Sequence, residues 1–514
     1  MNIRQAKQTV IDTVEAYLAK DETGSFLIPV PRQRPLLLIG PPGIGKTAIM
    51  EQVAEELGIN LVSYTITHHT RQSAIGLPSI SRKTYGGTEY QVTEYTMSEI
   101  IASVYDQIER TGIHEGILFL DEINCVSETL APTMLQFLQY KTFGTHRVPD
   151  GFVIVTAGNP PEYNRSVRDL DIVTLDRVKR IDITADLGVW KEYARKAGVH
   201  GSILSYLGIR KEHFYSVKQD LDGVRFVTAR GWEDLSRIIT VYEKLGKKAD
   251  EALAAQYLED PEIAADFAVY YELYCRYSRV FRIDGILDGT CTKGTEELAR
   301  APFDEKLSLI GLLTNRLDGE FRRYGEQKEL QRALADILKR VIAGGSLKEE
   351  RDKLEKRLAG GTAAGLIGEN AARTGRRTVQ ALKELETVLA QPDAEPSGAV
   401  KAWFAAREQR RMEEIRRTGA HLTRAFAFLA ETFGEGQEMV LFLTELSGGY
   451  DALRFISECG NEAYDKYNRL LLLRDRRREL DERLKTIDLS DEQQDSGCIF
   501  GKIRDDGAHR LDVE

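Results

Sequence analysis

The sequence predicts a parallel α/β sheet flanked by helices in its first part, followed by a long helical remainder. Three observations predict it. Short apolar runs alternate with helix-like segments up to residue 185. A glycine-rich turn, Gly40 to Thr47, joins one such run to one such helix. From about residue 186 the strand signals fade and helical periodicity takes over.

The strand candidates are Leu36–Ile39, Asn60–Ile66, Gly116–Leu120 and Phe152–Thr156, each bounded by Gly, Pro or charge. Helical patterns, such as Ala48–Leu57 and Leu130–Leu138, lie between them. Strands alternating with helices imply parallel pairing with both sheet faces covered. Further on, Trp190–Ala197 and Gly231–Lys244 read as helices. Gln327–Val341 places Leu330, Leu334, Ile337, Leu338 and Val341 on one face, a helical period. Gly344-Gly345 and Gly360-Gly361 punctuate this region, and Gln391–Gly398 reads as a boundary loop. Ala402–Phe433 and Glu462–Ile487 are again helical and heavily charged, and the tail after Leu489 is polar.

The chain has 514 residues, enough for two or three domains. Its formal charge of −10 argues against sequence-independent nucleic-acid binding, which favours a basic face. The five cysteines are Cys125, Cys275, Cys291, Cys459 and Cys498. They are scattered, odd in number and never in a CxxC pair, which fits free thiols in a reducing, cytoplasmic setting. No secretory signal is expected from the polar start, and no apolar run approaches a membrane span.

Gly40-Pro41-Pro42-Gly43-Ile44-Gly45-Lys46-Thr47 satisfies the phosphate-binding pattern GxxxxGK[ST] in full. It follows a strand and opens a helix at Ala48, the context this motif needs. Glycines let the backbone curl so that its N–H groups point at phosphates, and the helix N-terminus adds a favourable dipole. Lys46 is expected to reach the β- and γ-phosphates, and the Thr47 hydroxyl to hold Mg²⁺. Ile117 to Leu120 then ends in Asp121-Glu122. A parallel strand delivers such carboxylates to the sheet's C-terminal edge, where ligands bind. Asp121 is the expected Mg²⁺ partner and Glu122 the general base for water.

The order and wording of these motifs resemble AAA+ ATPases, and within them the MoxR-type and dynein-related group. Asp121-Glu122-Ile123-Asn124 resembles the MoxR acidic motif. Thr156-Ala157-Gly158-Asn159-Pro160 resembles the strand ending in the sensor-1 Asn, and Thr228-Ala229-Arg230-Gly231-Trp232 resembles the sensor-2 Arg at the start of a lid helix. The resemblance covers roughly residues 30 to 245; with the fading of strand signals and the polar tail, the expected organisation is an AAA+ α/β core over 1–185, a helical lid over 186–300, a helical accessory domain over 301–490 and a disordered tail over 491–514. The resemblance implies ATP and Mg²⁺ as ligands. It gives Asn159 a contact to the attacking water or γ-phosphate; an ordinary turn Asn before Pro is the alternative. It makes Arg177, in Leu175-Asp176-Arg177-Val178, a finger reaching into a neighbouring subunit's site. Arg165, Arg168 and Arg180 compete for that role, and a surface pairing of Arg177 with Asp176 or Asp182 is the bland alternative. Val178 stands where the family has Phe. Arg230 would couple the lid to the γ-phosphate; a solvent-facing Arg is the alternative, disfavoured by the helix dipole.

Ile75-Gly76-Leu77-Pro78 resembles the family's loop after the second strand, and the polar and aromatic stretch Ile80–Thr96 resembles a hairpin near helix 2, where the family places elements facing the central pore; an ordinary surface hairpin fits equally. Cys125 stands where relatives often carry Arg, so no role is carried onto it. His68, His69 and His146 lack partners at metal spacing and read as loop histidines. The Arg-rich stretches Arg407–Arg417 and Arg474–Lys485 also carry acids, the pattern of a solvated helical face. The resemblance implies a ring, a hexamer, that remodels a client protein, with a von Willebrand A-type domain protein as first partner. A nucleotide-gated scaffold with negligible hydrolysis and a nucleic-acid-dependent or restriction-type motor remain open, as does GTP in place of ATP.

Overall fold

A computed structural model describes residues 1–66, 74, 76–163, 172–220, 223–280, 283–291, 294, 296–363, 367–390 and 396–470. The first part holds α1 (Ile3–Leu18), β1 (Leu36–Ile39), α2 (Lys46–Leu57), β2 (Asn60–Thr65), the hairpin β3 (Pro78–Tyr85) and β4 (Thr88–Tyr95), and α3 (Glu99–Thr111). It continues with β5 (Gly116–Asp121), α4 (Ala131–Tyr140), the short β6 (Thr142–Phe143) and β7 (His146–Arg147), β8 (Phe152–Gly158), α5 (Ile172–Arg177) and β9 (Lys179–Asp182).

Five strands form one parallel sheet in the order β2-β5-β8-β1-β9. Because side chains alternate along a strand, the central strands feed two cores. Leu36, Leu38, Ile117, Phe119, Val153 and Val155 pack under α1 and α2. Leu37, Leu118, Leu120, Phe152 and Ile154 pack on the other face with residues of α3 and α4. Both faces are therefore covered, as parallel sheets require. The reading by periodicity misses α1 and β9. Helix α1 is closed by a reciprocal cap, in which Asn2 accepts from the Gln5 amide and the Gln5 side chain accepts from the Asn2 amide. Its Ala6, Val10, Ile11 and Val14 are buried.

The chain then becomes helical: α6 (Leu187–Ala197), α7 (Gly201–Ile209), α8 (Ala229–Lys244), α9 (Glu251–Ala255), α10 (Pro261–Val280), α11 (Ile283–Asp288) and α12 (Glu296–Ala299). A two-stranded hairpin, β10 (Ser216–Asp220) and β11 (Gly223–Val227), interrupts this series. It stands outside the expectation that strands end near 186, because Val217, Val224 and Phe226 are exposed and form no buried apolar run.

The remainder comprises α13 (Phe303–Ile342), α14 (Leu347–Ala363), α15 (Glu369–Leu389), α16 (Pro396–Phe433), α17 (Gln437–Ser447) and α18 (Tyr450–Cys459). Residues 391–395 of the expected boundary loop lie outside the described residues, and Pro396 already opens α16. Gly344-Gly345 end a helix as expected, whereas Gly360-Gly361 lie inside α14. Helix α13 is the spine, packing on α7, α10, α16, α17 and α18. Met1–Asn461 form one unit; residues 462–470 are helical, and the expected tail lies outside the described residues. Among the described residues no helix is long and apolar enough to cross a membrane.

Candidate functional site

Strand β1 runs between β8 and β9 and ends in the glycine-rich turn at the C-terminal edge of the sheet. Two glycines of the turn have left-handed backbones, Gly43 with φ 73° and Gly45 with φ 97°, where a Cβ would be strained. Gly40 needs its bareness for space: a Cβ there would stand 2.8 Å from the Ile183 carbonyl. Ile44 turns inward onto the apolar core beneath α1 and α2. Pro41 and Pro42 have no N–H, so the donors of the curl come from Gly43 onward.

Lys46 opens α2 and is only 8% exposed. Its ammonium donates to the carbonyls of Gly40 (2.7 Å) and Pro41 (2.9 Å) and to Asn159 Oδ1 (2.8 Å). Burial pulls its pKa down to about 8; the Asp121 carboxylate opposes this and the Arg230 guanidinium assists it. Thr47 donates its hydroxyl to Asp121 Oδ2 at 3.1 Å, and Ala48 follows in the first turn of α2. The turn after β1 and the end of β5 are thus joined through Thr47 and Asp121, and the turn and the end of β8 through Lys46 and Asn159.

Glu122 follows Asp121 with φ 58°, a left-handed backbone uncommon for a residue with a Cβ. Such a conformation costs about 1–3 kcal/mol and is retained where the surroundings impose it. Here the Glu122 amide donates to Asp121 Oδ1 at 2.9 Å. Two residues on, buried Asn124 donates through Nδ2 to the Asn159 carbonyl at 2.6 Å. Among the described residues its buried Oδ1 has no hydrogen-bond partner. A Cβ on Gly158 would lie 2.5 Å from that oxygen, so glycine there makes room for Asn124. Asn124 was in view in the sequence only as part of the acidic motif, and its hold on the Asn159 backbone needs the fold to be seen.

Arg230 is exposed in the first turn of α8, behind the Thr228 cap whose hydroxyl accepts from the Gly231 amide. The two residues sit over the turn: a Cβ on Gly43 would lie 3.1 Å from Thr228 and 3.4 Å from Arg230 Cβ. Arg177 is different. It is exposed at the end of α5, and nothing brings it to the other candidates. Its two possible carboxylate partners are engaged elsewhere: Asp176 lies 4.0 Å from Arg34, and Asp182 accepts from Arg180 Nε at 2.8 Å. Arg165 and Arg168, like His68 and His69, lie outside the described residues.

His146 faces the Tyr95 carbonyl at 2.9 Å, tying β7 to the β3–β4 hairpin. Among the described residues no group of three His, Cys, Asp or Glu is placed to hold a metal ion. Burial, and then the Glu122 and Asp121 carboxylates, push the Cys125 thiol up, away from thiolate reactivity. A contact with no sequence signal at all is Tyr215, whose hydroxyl donates to the Pro42 carbonyl at 3.1 Å across 173 residues of chain.

The segment that carries these residues is similar to known proteins. Residues 35–178 match the family model of the AAA domain, dynein-related subfamily. A stretch of 102 residues is 36% identical to ATPase family gene 2 protein homolog A from Homo sapiens. That stretch is 20% of this chain and 9% of the human protein, so the chain spans only a small part of its relative's length. The match over 35–178, the five-stranded parallel sheet and its nucleotide-binding turn together support an AAA+ ATPase domain, followed by a mostly helical C-terminal region.

Proposed function

We propose that this chain hydrolyses ATP with Mg²⁺ in a ring of identical subunits and uses the cycle to remodel a client protein, in the manner of the MoxR-type group. The observation that carries the reading is the convergence of Lys46, Thr47, Asp121, Glu122 and Asn159 at one sheet edge, linked by the bonds from Lys46 to Asn159 and from Thr47 to Asp121. Thr47 and Asp121 offer hydroxyl and carboxylate oxygens, the hard donors that Mg²⁺ prefers. The ion, when bound, would neutralise charge on the phosphate oxygens.

In this reading the backbone from Gly43 to Ala48 cradles the phosphates, with Gly40, Pro41 and Pro42 shaping the curl. Lys46 carries its ammonium to the β- and γ-phosphates. Glu122 accepts the proton of the attacking water as the new O–P bond forms and ADP departs. Asn159 orients that water. Arg230 senses the γ-phosphate from the helical lid, and Arg177 of a neighbouring subunit completes the site.

Two features support a protein client. In the Arg-rich stretch Arg407–Arg417, Arg407 pairs with Glu384 and Arg411 with Glu408, which takes two of its arginines from gripping phosphates; Arg474–Lys485 lies outside the described residues. The β3–β4 hairpin exposes Tyr85 and Tyr90 toward its tip and Ile80 nearer its base, apolar and aromatic surface suited to an unfolded segment. A von Willebrand A-type domain protein remains the first partner to test by pull-down.

The decisive experiment is Glu122→Gln. It should retain ATP binding and lose steady-state phosphate release by about two orders of magnitude or more. Unchanged hydrolysis would remove Glu122 from the proposed role.

A further inference from the structure

The segment His213-Phe214-Tyr215 touches both the helical region and the glycine-rich turn. On its inner side it is fastened to the helical region. The Trp232 indole donates to the His213 carbonyl at 3.1 Å. The buried Phe214 ring packs on Trp190, with centroids 5.1 Å apart. On its outer side, half-buried Tyr215 reaches the glycine-rich turn and donates to the Pro42 carbonyl. Its ring also meets the edge of Tyr163, 6.4 Å between centroids. Tyr163 belongs to the single helical turn Pro161–Tyr163, which begins two residues beyond Asn159.

Tyr215 sits at one foot of the β10–β11 hairpin and Thr228 at the other, because Ser216 pairs with Val227. The two feet address consecutive residues of the turn: Tyr215 meets Pro42, and Thr228 packs at Gly43. The hairpin itself is held to the helical region by Lys218 facing Asp260 at 3.6 Å and by the bridge between Phe226 and Glu259.

The chemistry explains why a hydroxyl is useful here. A curl that aims its N–H groups at a phosphate leaves carbonyls pointing outward. The Pro42 carbonyl is one such acceptor, at the apex of the turn, where Pro41 and Pro42 supply no donor of their own. A single O–H bond at this point fixes the outer edge of the curl, so that the inner edge is formed before the phosphate arrives.

We propose that Tyr215 is a positioning residue of the nucleotide site, pinning the apex of the phosphate-binding turn to the helical lid through its hydroxyl. It touches neither phosphate nor water; it acts through Pro42. The proposal rests on the ATPase reading for its functional consequence, but not for its structural one. Tyr215→Phe keeps the ring against Tyr163 and removes only the bond. In the Glu122→Gln background, calorimetric titration should show ATP binding weakened about three- to tenfold by Tyr215→Phe, the range for loss of one hydrogen bond. In otherwise wild-type protein the same change should appear mainly in KM, with a smaller change in kcat. Combining it with Arg230→Ala should give less than the product of the single effects, since both work through the seating of the lid on the turn.

A second measurement needs no nucleotide. Amide exchange over residues 43–48 should quicken in Tyr215→Phe, while exchange in the sheet strands stays as in the parent. Equal ATP affinity in parent and variant, or unaltered exchange over the turn, would overturn the proposal. Absence of ATP binding in the parent would instead defeat the ATPase reading, and the exchange experiment would still decide the role of Tyr215.

Discussion

Lys46 shows how one residue carries a pH signature. Its ammonium is buried, so its pKa falls to about 8 from an ordinary 10.5. The unfolded chain therefore holds this proton to higher pH than the folded chain. The stability that this group contributes rises as pH climbs from about 8 toward 10.5. Phosphate binding has the opposite sign, because the ligand requires the charged form. We expect ATP affinity to fall as pH rises above about 8, with proton uptake on binding in that range. Titration calorimetry in buffers of different ionisation heat measures that uptake, which should vanish in Lys46→Met. Buried Lys141 serves as an internal contrast. Burial lowers its pKa to about 8 as well, yet it bonds the Gln33 side chain and the Phe152 carbonyl, away from the turn. Its titration should affect stability without proton uptake on ATP binding. The roles proposed for Lys46 and Thr47 were legible in the sequence because the motif is contiguous. The environment that lowers the Lys46 pKa was not, since it comes from burial in the folded chain, assisted by Arg230 and opposed by Asp121, both from distant parts of the sequence.

Among the elements, the junction of β8 with the following loop is the most exacting. Gly158 ends the strand, and Asn124 fills the space that a Cβ would occupy. Gly158→Ala should push Asn124 aside and break its bond to the Asn159 carbonyl. An overpacked site of this kind costs about 1–3 kcal/mol. Urea unfolding should show that loss, and phosphate release should fall with it. Pairing Gly158→Ala with Asn124→Ala restores room but not the bond, so stability should recover more than turnover. Other elements show what periodicity reads well. The stripe from Leu330 to Val341 marked the C-terminal part of α13, where one face packs into the core with Leu382 and Leu385 of α15. Upstream, Leu309, Ile310, Leu312, Leu313, Leu317 and Phe321 are all buried, so the helix is enclosed on several sides and no single stripe stands out. The β10–β11 hairpin was illegible for the reverse reason: its exposed side chains leave little apolar alternation.

For the molecule as a whole, the relation between the nucleotide site and the helical region would decide what the proposed hydrolysis could move. Glu445 on α17 pairs with Lys191 at 2.9 Å and with Arg195, both on α6. Those three charges, well shielded from solvent, tie the helices just after the sheet to those near residue 445, so the two should move together. The exposed Arg177 points to assembly at the same scale. Among the described residues Asp182 accepts from Arg180 and exposed Asp176 stands 4.0 Å from Arg34, so the proposed reach of Arg177 into a neighbouring subunit can be tested. Mixing tests this. Arg177→Ala and Lys46→Ala subunits should each be inactive alone, and should regain part of the wild-type phosphate release when combined. An absence of rescue in mixed assemblies, shown to have formed by sedimentation, would withdraw the finger from Arg177.

The sequence by itself determined the phosphate-binding turn, the acidic strand end and the parallel core. Each depends on interactions within a few residues: the curl of a glycine-rich loop, the alternation of a strand, the start of a helix. Only the tertiary structure decided how Asn124 holds the loop of Asn159, how Tyr215 and Thr228 seat on the turn, and how Glu445 binds α6. These contacts join residues tens to hundreds of positions apart. A polar side chain reveals its partner only when the chain has folded and burial makes an unmet hydrogen bond costly.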